Sequence, residues 1–276
     1  MGKTMRRFLG FTFGTAAAWA FAVKPRIWDK PDMYEIRRYD YARKGLFDPD
    51  KKIPENSLAA FREAVDHGYG VTLDVRRTRD GIPVVFHDEH LYRMTERDGQ
   101  VEMRTLEELK ELRLYRSEET IPTLEEALNL IDGQVPVLVE LKTDGENVQA
   151  LCDSVCEVLD KYEGVFAVQS VDPRVLRWFR QERNEYIRGQ VVDYNYCSGY
   201  TVTSRIWDLF CSSLLMNFMT EPDMLVCSMS VRYNPSVWIC RLLYHIPRLN
   251  WTVRTLEEYE AVKTDGATAL FEQIEP

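Results

Sequence analysis

From Tyr39 onward, short runs of β-branched and aromatic residues alternate with amphipathic stretches of helical length. The runs are YDYAR (39–43), GVTLDV (70–75), PVLVEL (136–141), FAVQS (166–170), YIRGQVV (186–192), DMLVCS (223–228), LNWTV (249–253) and TALFE (268–272). Between them lie helix-period segments. SLAAFREAVDH places Leu58, Phe61, Ala64 and Val65 on one face, and NVQALCDSVCEVLDKY does the same with Val148, Leu151, Val155, Val158 and Leu159. A helix between two strands returns the chain to the same end of the sheet, so this order predicts parallel strands. Eight such strands in a chain of 276 residues predict an α/β fold of the (β/α)8 TIM-barrel type.

One run breaks the alternation. IPVVFH (82–87) follows the second strand too closely for a parallel crossover, so it must return antiparallel, and Asp80-Gly81 supplies the tight turn. The expectation is a hairpin extension that carries His87 and Asp88 back to the barrel rim. Residues 89–122, mixed and charged, form a small insertion before the helix TLEEALNLI, for which Thr123 and Glu126 stand at capping-box spacing.

The first thirty residues differ in kind. Lys3, Arg6 and Arg7 precede an uncharged run from Phe8 to Val23, and Ala20-Phe21-Ala22 has the small-x-small form of a signal-peptidase site. Its 16 residues fall short of the roughly 20 that span a bilayer. A short retained anchor and a cleaved signal both fit, and basic residues on both flanks argue against a buried helix of the globular domain. They also leave the orientation open. The expected organisation is residues 1–30 as a membrane anchor or signal segment and 31–276 as the barrel, membrane-associated with its side undetermined.

Composition narrows the partners. A net charge of −9 speaks against a nucleic-acid-binding surface, because phosphate backbones select a basic footprint. The six cysteines, Cys152, Cys156, Cys197, Cys211, Cys227 and Cys240, form no CxxC pair and stand at no zinc-finger spacing, so they read as buried free thiols.

In such a barrel the loops after the strands build the site, and the strand ends carry a coherent set. Arg43 and Lys44 end the first strand, Asp74 lies near the end of the second, and His87 returns on the hairpin. Glu140 and Lys142 end the third strand, and Glu272 ends the eighth. Asp74 and Glu140 are hard oxygen donors suited to Mg2+ or Ca2+. Lys44 and Lys142 can neutralise a phosphate, and His87 brings an imidazole, the side-chain type suited to moving protons near neutral pH. Singly, each also has a plain structural reading as a salt-bridged carboxylate, a solvated lysine or a satisfied histidine.

The motifs IPENSLAAFREAV, LDVRRTRDGIPVVFHDEHLYRMT, IPTLEEAL, VPVLVELK and WTV, in that order, resemble the glycerophosphodiester phosphodiesterase family. NFMTEPDM (217–224) and LFE (270–272) resemble a subgroup with an N-terminal membrane segment. The resemblance implies hydrolysis of phosphodiesters such as glycerophosphocholine to glycerol 3-phosphate and an alcohol. It implies two proton-transferring histidines and a divalent cation held by a Glu-x-Asp pair and a later glutamate. On this sequence His87 falls at the second histidine, Asp74 at the aspartate, Glu140 at the later glutamate and Lys142 at the lysine beside it.

Two positions depart. The family's Ala-His-Arg-Gly reads Ala42-Arg43-Lys44-Gly45, so Arg43 replaces the first histidine, and Glu-x-Asp reads Thr72-Leu73-Asp74, so Thr72 replaces a metal-ligand glutamate. A guanidinium keeps its proton at neutral pH, and a hydroxyl brings no charge to a cation. The expectation is a phosphoric diester hydrolase of lipid metabolism with impaired catalysis. The alternative is a non-catalytic protein binding a phosphodiester or anionic phospholipid headgroup at the membrane. His67 and His90 are the remaining histidines that could stand in for the missing one, His90 being nearer the rim.

Overall fold

Strand order follows from which edges the helices leave free to pair. In the computed structural model, which describes residues 14–143, 147–194 and 202–276, the strands are β1 (Tyr41–Arg43), β2 (Gly70–Arg77), β3 (Pro83–Val85), β4 (Val137–Leu141), β5 (Phe166–Ser170), β6 (Arg188–Val192), β7 (Met224–Ser228), β8 (Arg248–Val253) and β9 (Thr268–Phe271). All but β3 pair in parallel in the order β1-β9-β8-β7-β6-β5-β4-β2, and β1 also pairs with β2, which closes the ring. Every strand expected from the hydrophobic pattern lies in this barrel.

The period of two along each strand sorts side chains between two cores. Val71, Leu73 and Val75 of β2 and Val137, Val139 and Leu141 of β4 share an outer cluster with Phe61, Leu128, Leu151 and Val155 of the surrounding helices. The residues between them, Thr72, Asp74 and Glu140, are polar and buried. A second cluster joins Tyr41, Leu138, Ala167, Leu249 and Leu270 to Ile36 of the short helix Tyr34–Arg38. The strands approach closely here, since a Cβ on Gly70 would lie 2.5 Å from the Tyr41 ring.

β3 returns antiparallel on β2, with Val85 opposite Val75. Gly81 turns the chain at φ 95°, a conformation that costs glycine little, and its N–H donates to the Thr78 carbonyl at 3.1 Å. The insertion that follows has its own small core, in which Phe86, Leu91, Met94, Val101, Leu109 and Leu114 meet. Both capping-box hydrogen bonds expected at Thr123 and Glu126 are present, and Thr105 with Glu108 forms another. Cys152, Cys156, Cys211, Cys227 and Cys240 are buried free thiols, with burial pushing the Cys227 thiol up to about 12; Cys197 lies outside the described residues.

The expected membrane segment is corrected by the structure. Residues 1–13 of it lie outside the described part, and residues 14–22 are helical and reach the barrel through a few contacts. Trp19 Nε1 donates to Ser236 Oγ at 3.0 Å, the Tyr244 hydroxyl donates to the Ala20 carbonyl at 2.8 Å, and Val23 is fully buried beside Leu214 and Cys240. Among the described residues no helix is long and apolar enough to cross a membrane, so localisation through a single N-terminal segment is not supported. The described end of the apolar run touches the barrel through Trp19, Ala20 and Val23, while Trp19 and Phe21 stay exposed.

Candidate active site

Strand register brings the inner part of the site together. Arg43 is the ladder partner of Thr72, and Asp74 is the partner of Glu140, so four interior positions of β1, β2 and β4 meet at the C-terminal end of the barrel. Lys142 follows β4 and reaches both carboxylates, with Nζ 3.3 Å from Asp74 Oδ1 and hydrogen-bonded to Glu140 Oε1. The other oxygen of each is also engaged. Asn56 Nδ2 donates to Asp74 Oδ2 at 2.9 Å, and Gln169 Nε2 donates to Glu140 Oε2 at 3.0 Å.

Arg43 is held as firmly. Its Nη1 pairs with Glu272 Oε1, and its guanidinium lies over the Trp251 ring at 4.8 Å. Arg254 Nη2 takes the second Glu272 oxygen at 2.8 Å. The Thr72 hydroxyl accepts the backbone N–H of Lys44 at 3.1 Å, and Lys44 sits at φ 65°, which turns the chain out of β1.

Electrostatics follows from this packing. Burial alone would raise the Asp74 carboxyl, but Lys142 above all, and then His87, Lys44 and Arg43, hold it far below the ordinary carboxylate range. Burial alone would lower the Arg43 guanidinium, yet Asp74, Glu272 and Glu140 keep it above its usual value. Lys142 is raised in the same way by Asp74 and Glu140 against its own burial. All three groups are therefore locked in their charged forms at neutral pH.

The hairpin builds the rim. His87 Nδ1 lies 2.7 Å from Asp88 Oδ1, which fixes the ring and leaves Nε2 as the nitrogen not engaged by that carboxylate. Arg93 bridges Asp88 to Glu55, with Nη2 2.6 Å from Glu55 Oε1, and Glu55 in turn takes Lys44 Nζ at 3.0 Å. Burial would raise Asp88, but His87 and Arg93 bring it well below the ordinary range. The side chains of His87 and Arg93 are 32% and 48% exposed, against 14% for Lys142.

Of the residues expected from sequence, Arg43, Thr72, Asp74, Glu140, Lys142 and Glu272 lie together in the inner mouth, and His87 and Lys44 stand on its rim. His90 is exposed on the insertion, and His67 caps the helix Leu58–Asp66, where its ring is exposed. Glu55, Asn56, Arg93, Gln169, Trp251 and Arg254 were not singled out. Asn56 carries a signal, since asparagine tolerates the left-handed conformation it adopts here at φ 56°, immediately before the Ser57 helix cap. The others carry none, because their roles exist only through partners far away in sequence.

A divalent cation needs several oxygen ligands, and the donors do not fit one. Asp74 Oδ2 and both Glu140 oxygens already accept N–H donors, Asp74 Oδ1 is ion-paired with Lys142, which lies between the two carboxylates, and position 72 offers a neutral hydroxyl that is also engaged. Among the described residues there is no group of three or more His, Cys, Asp or Glu side chains that could hold a metal ion.

Comparison with known proteins places this mouth in context. A family model, that of the glycerophosphoryl diester phosphodiesterase family, matches residues 50–237. A glycerophosphodiester phosphodiesterase of Caldanaerobacter subterraneus subsp. tengcongensis is 43% identical over 101 residues, 34% of this chain and 42% of that protein. Glycerophosphodiester phosphodiesterase 1 of Rattus norvegicus is 42% identical over 144 residues, 49% of this chain and 44% of that protein. The chain thus spans less than half the length of these curated relatives. A phosphodiesterase from Oleispira antarctica, solved in complex with the product sn-glycerol-3-phosphate, superposes with a TM-score of 0.70 at 25% identity over 87% of this chain and 94% of that one.

Proposed function

The chain belongs to the glycerophosphoryl diester phosphodiesterase family, and on that premise we propose that its barrel mouth takes a glycerophosphodiester and hydrolyses it poorly. The observation that carries this reading is Arg43, ion-paired to Glu272 and stacked over Trp251 at the position where the family resemblance expects a proton-transferring histidine. Hydrolysis of a phosphodiester needs a proton taken from the attacking oxygen and one given to the departing alkoxide. A group exchanges protons efficiently only when its pKa lies near the operating pH, and a guanidinium held above its usual value does not. His87, oriented by Asp88, is competent for one of the two transfers.

Recognition is better served than chemistry. Arg43 offers planar N–H donors matched to a phosphate, while Lys44 and Lys142 add compact positive charges. The sn-glycerol-3-phosphate in the Oleispira antarctica relative supports a ligand of this class. Family members generally use a divalent cation; the hard carboxylate oxygens that would select Mg2+ or Ca2+ over zinc are already paired with nitrogen donors here. The second reading is a binding protein without turnover for a phosphodiester or anionic headgroup, favoured by the Arg43 and Lys44 pair that outlasts the lost histidine.

The deciding experiment is glycerol 3-phosphate release from glycerophosphocholine, with Mg2+, with Ca2+ and with chelator, comparing wild type, His87→Ala and the Arg43→His, Thr72→Glu double variant. Impaired catalysis predicts a wild-type rate far below that of the double variant. A wild-type rate equal to it would end this reading, and a wild-type rate no higher than that of His87→Ala would leave the binding protein.

A further inference from the structure

The three carboxylates of the inner mouth are fully engaged by nitrogen donors. Asp74 is taken by Lys142 and Asn56, Glu140 by Lys142 and Gln169, and Glu272 by Arg43 and Arg254. Three negative groups thus face Arg43 and Lys142 inside and Arg254, 61% exposed, at the edge, and these six charges sum to zero. A carboxylate site kept for a dication must instead carry negative charge that the protein itself leaves uncompensated.

We infer that Arg43 and Thr72 together take the place of a divalent cation, so that the mouth holds its phosphate ligand through Arg43 and Lys142 with no resident metal. This rests on the phosphodiester reading above for the identity of the ligand. The charges of the two departures add up to that of the ion. Histidine at position 43, neutral, would remove one positive charge, and glutamate at position 72 would add one negative charge, so the pair makes the site two units more negative. A dication supplies two positive units.

Geometry supports the same conclusion. Arg43 and Thr72 are ladder partners on β1 and β2, so both changes fall on one interior edge of the barrel. The guanidinium is pinned there by Glu272 and Trp251 and is close enough to Asp74 and Glu140 to be raised by them. A cation entering between those two carboxylates would have to expel the Lys142 ammonium and sit beside a fixed positive charge that cannot neutralise itself.

Titration calorimetry tests this on the full chain in two arms. In the first, MgCl2, CaCl2 and MnCl2 are titrated alone. The expected result is no saturable binding to wild type, and affinity about a hundredfold or more higher in the Arg43→His, Thr72→Glu variant because its ligand charge count rises. Saturable binding to wild type as tight as to the double variant would overturn the inference.

In the second arm sn-glycerol 3-phosphate is titrated with chelator and with Mg2+. Equal affinity in both supports the inference, and loss of binding under chelator overturns it. Arg43→Met should weaken binding about 10- to 100-fold by removing a charged hydrogen-bonding partner, with Arg43→Lys in between, and the thermal midpoint of each variant shows that it is folded. An absence of glycerol 3-phosphate binding in both conditions, with no metal bound in the first arm, removes the phosphodiester reading and leaves the cation replacement standing.

Discussion

The inner mouth and its rim carry the same kinds of side chain in two different settings. Inside, Arg43, Asp74, Glu140 and Lys142 project from or just beyond paired strands, are largely shielded from water and have their partners dictated by ladder register. On the rim, His87, Asp88 and Arg93 hang from the hairpin and the insertion after it, and half of the Arg93 side chain is in solvent. Charges inside are weakly screened and cannot be left unpaired, whereas those outside can exchange a partner for water. The two departures expected from the family resemblance, Arg43 and Thr72, lie in the inner cluster, and His87 with its orienting Asp88 lies on the rim. On the proposed reading, catalytic capacity falls where a charge change has to be balanced by another, which is why the two departures are read as a pair.

The largest expected effect is on turnover. Restoring both positions, Arg43→His with Thr72→Glu, should raise glycerol 3-phosphate release about 10²- to 10⁴-fold, the usual worth of a positioned proton-transfer group. Either single change should recover much less, and a single change as active as the double would break the coupling.

Stability separates the two regions next. Lys142→Met leaves Asp74 and Glu140 side by side with like charge and should cost about 3–5 kcal/mol in denaturant unfolding, the range for removing one partner of a buried ion pair. The matching rim change, Arg93→Ala, should cost no more than about 1 kcal/mol. Equal losses at the two sites would show that burial does not distinguish them.

Acid should also weaken the inner cluster. The folded-state pKa of Asp74 lies below its unfolded value, so its contribution is complete above about pH 4 and is lost as the pH falls from there. Replacing it with Asn should flatten that limb of a plot of unfolding free energy against pH. An unchanged limb would assign acid sensitivity to other carboxylates, with Asp88 the first to examine. The smallest effect is remote from the mouth. Thr123→Ala removes the cap of the helix Leu124–Ile131 and should cost about 1 kcal/mol without altering ligand binding.

Much of the barrel was legible in one dimension. The outward valines and leucines of β2 and β4 announce their strands by period, Asp80-Gly81 announces the hairpin, and Thr123 with Glu126 announces a helix start, because each of these signals acts over a few residues. The segment before Lys24 was misread for the complementary reason. Its apolar run fits a lipid-facing helix as a pattern, whereas no helix among the described residues is long and apolar enough to cross a membrane and Trp19, Ala20 and Val23 contact residues about two hundred positions away. The site shows the same division. Arg43, Thr72, Asp74, His87, Glu140 and Lys142 could be named from strand ends and motif order, while Asn56, Gln169 and Arg254 could not.

By itself, then, the sequence determined the eight-stranded barrel, the hairpin and the identity of the groups that reach the mouth, since side-chain period and turn chemistry are local properties of the chain. Which nitrogen each carboxylate oxygen accepts, and so whether charge is left over for a cation, was decided by tertiary structure alone. Those pairings depend on ladder register, on closure of β1 onto β2 and β9, and on burial that makes an unpaired charge costly.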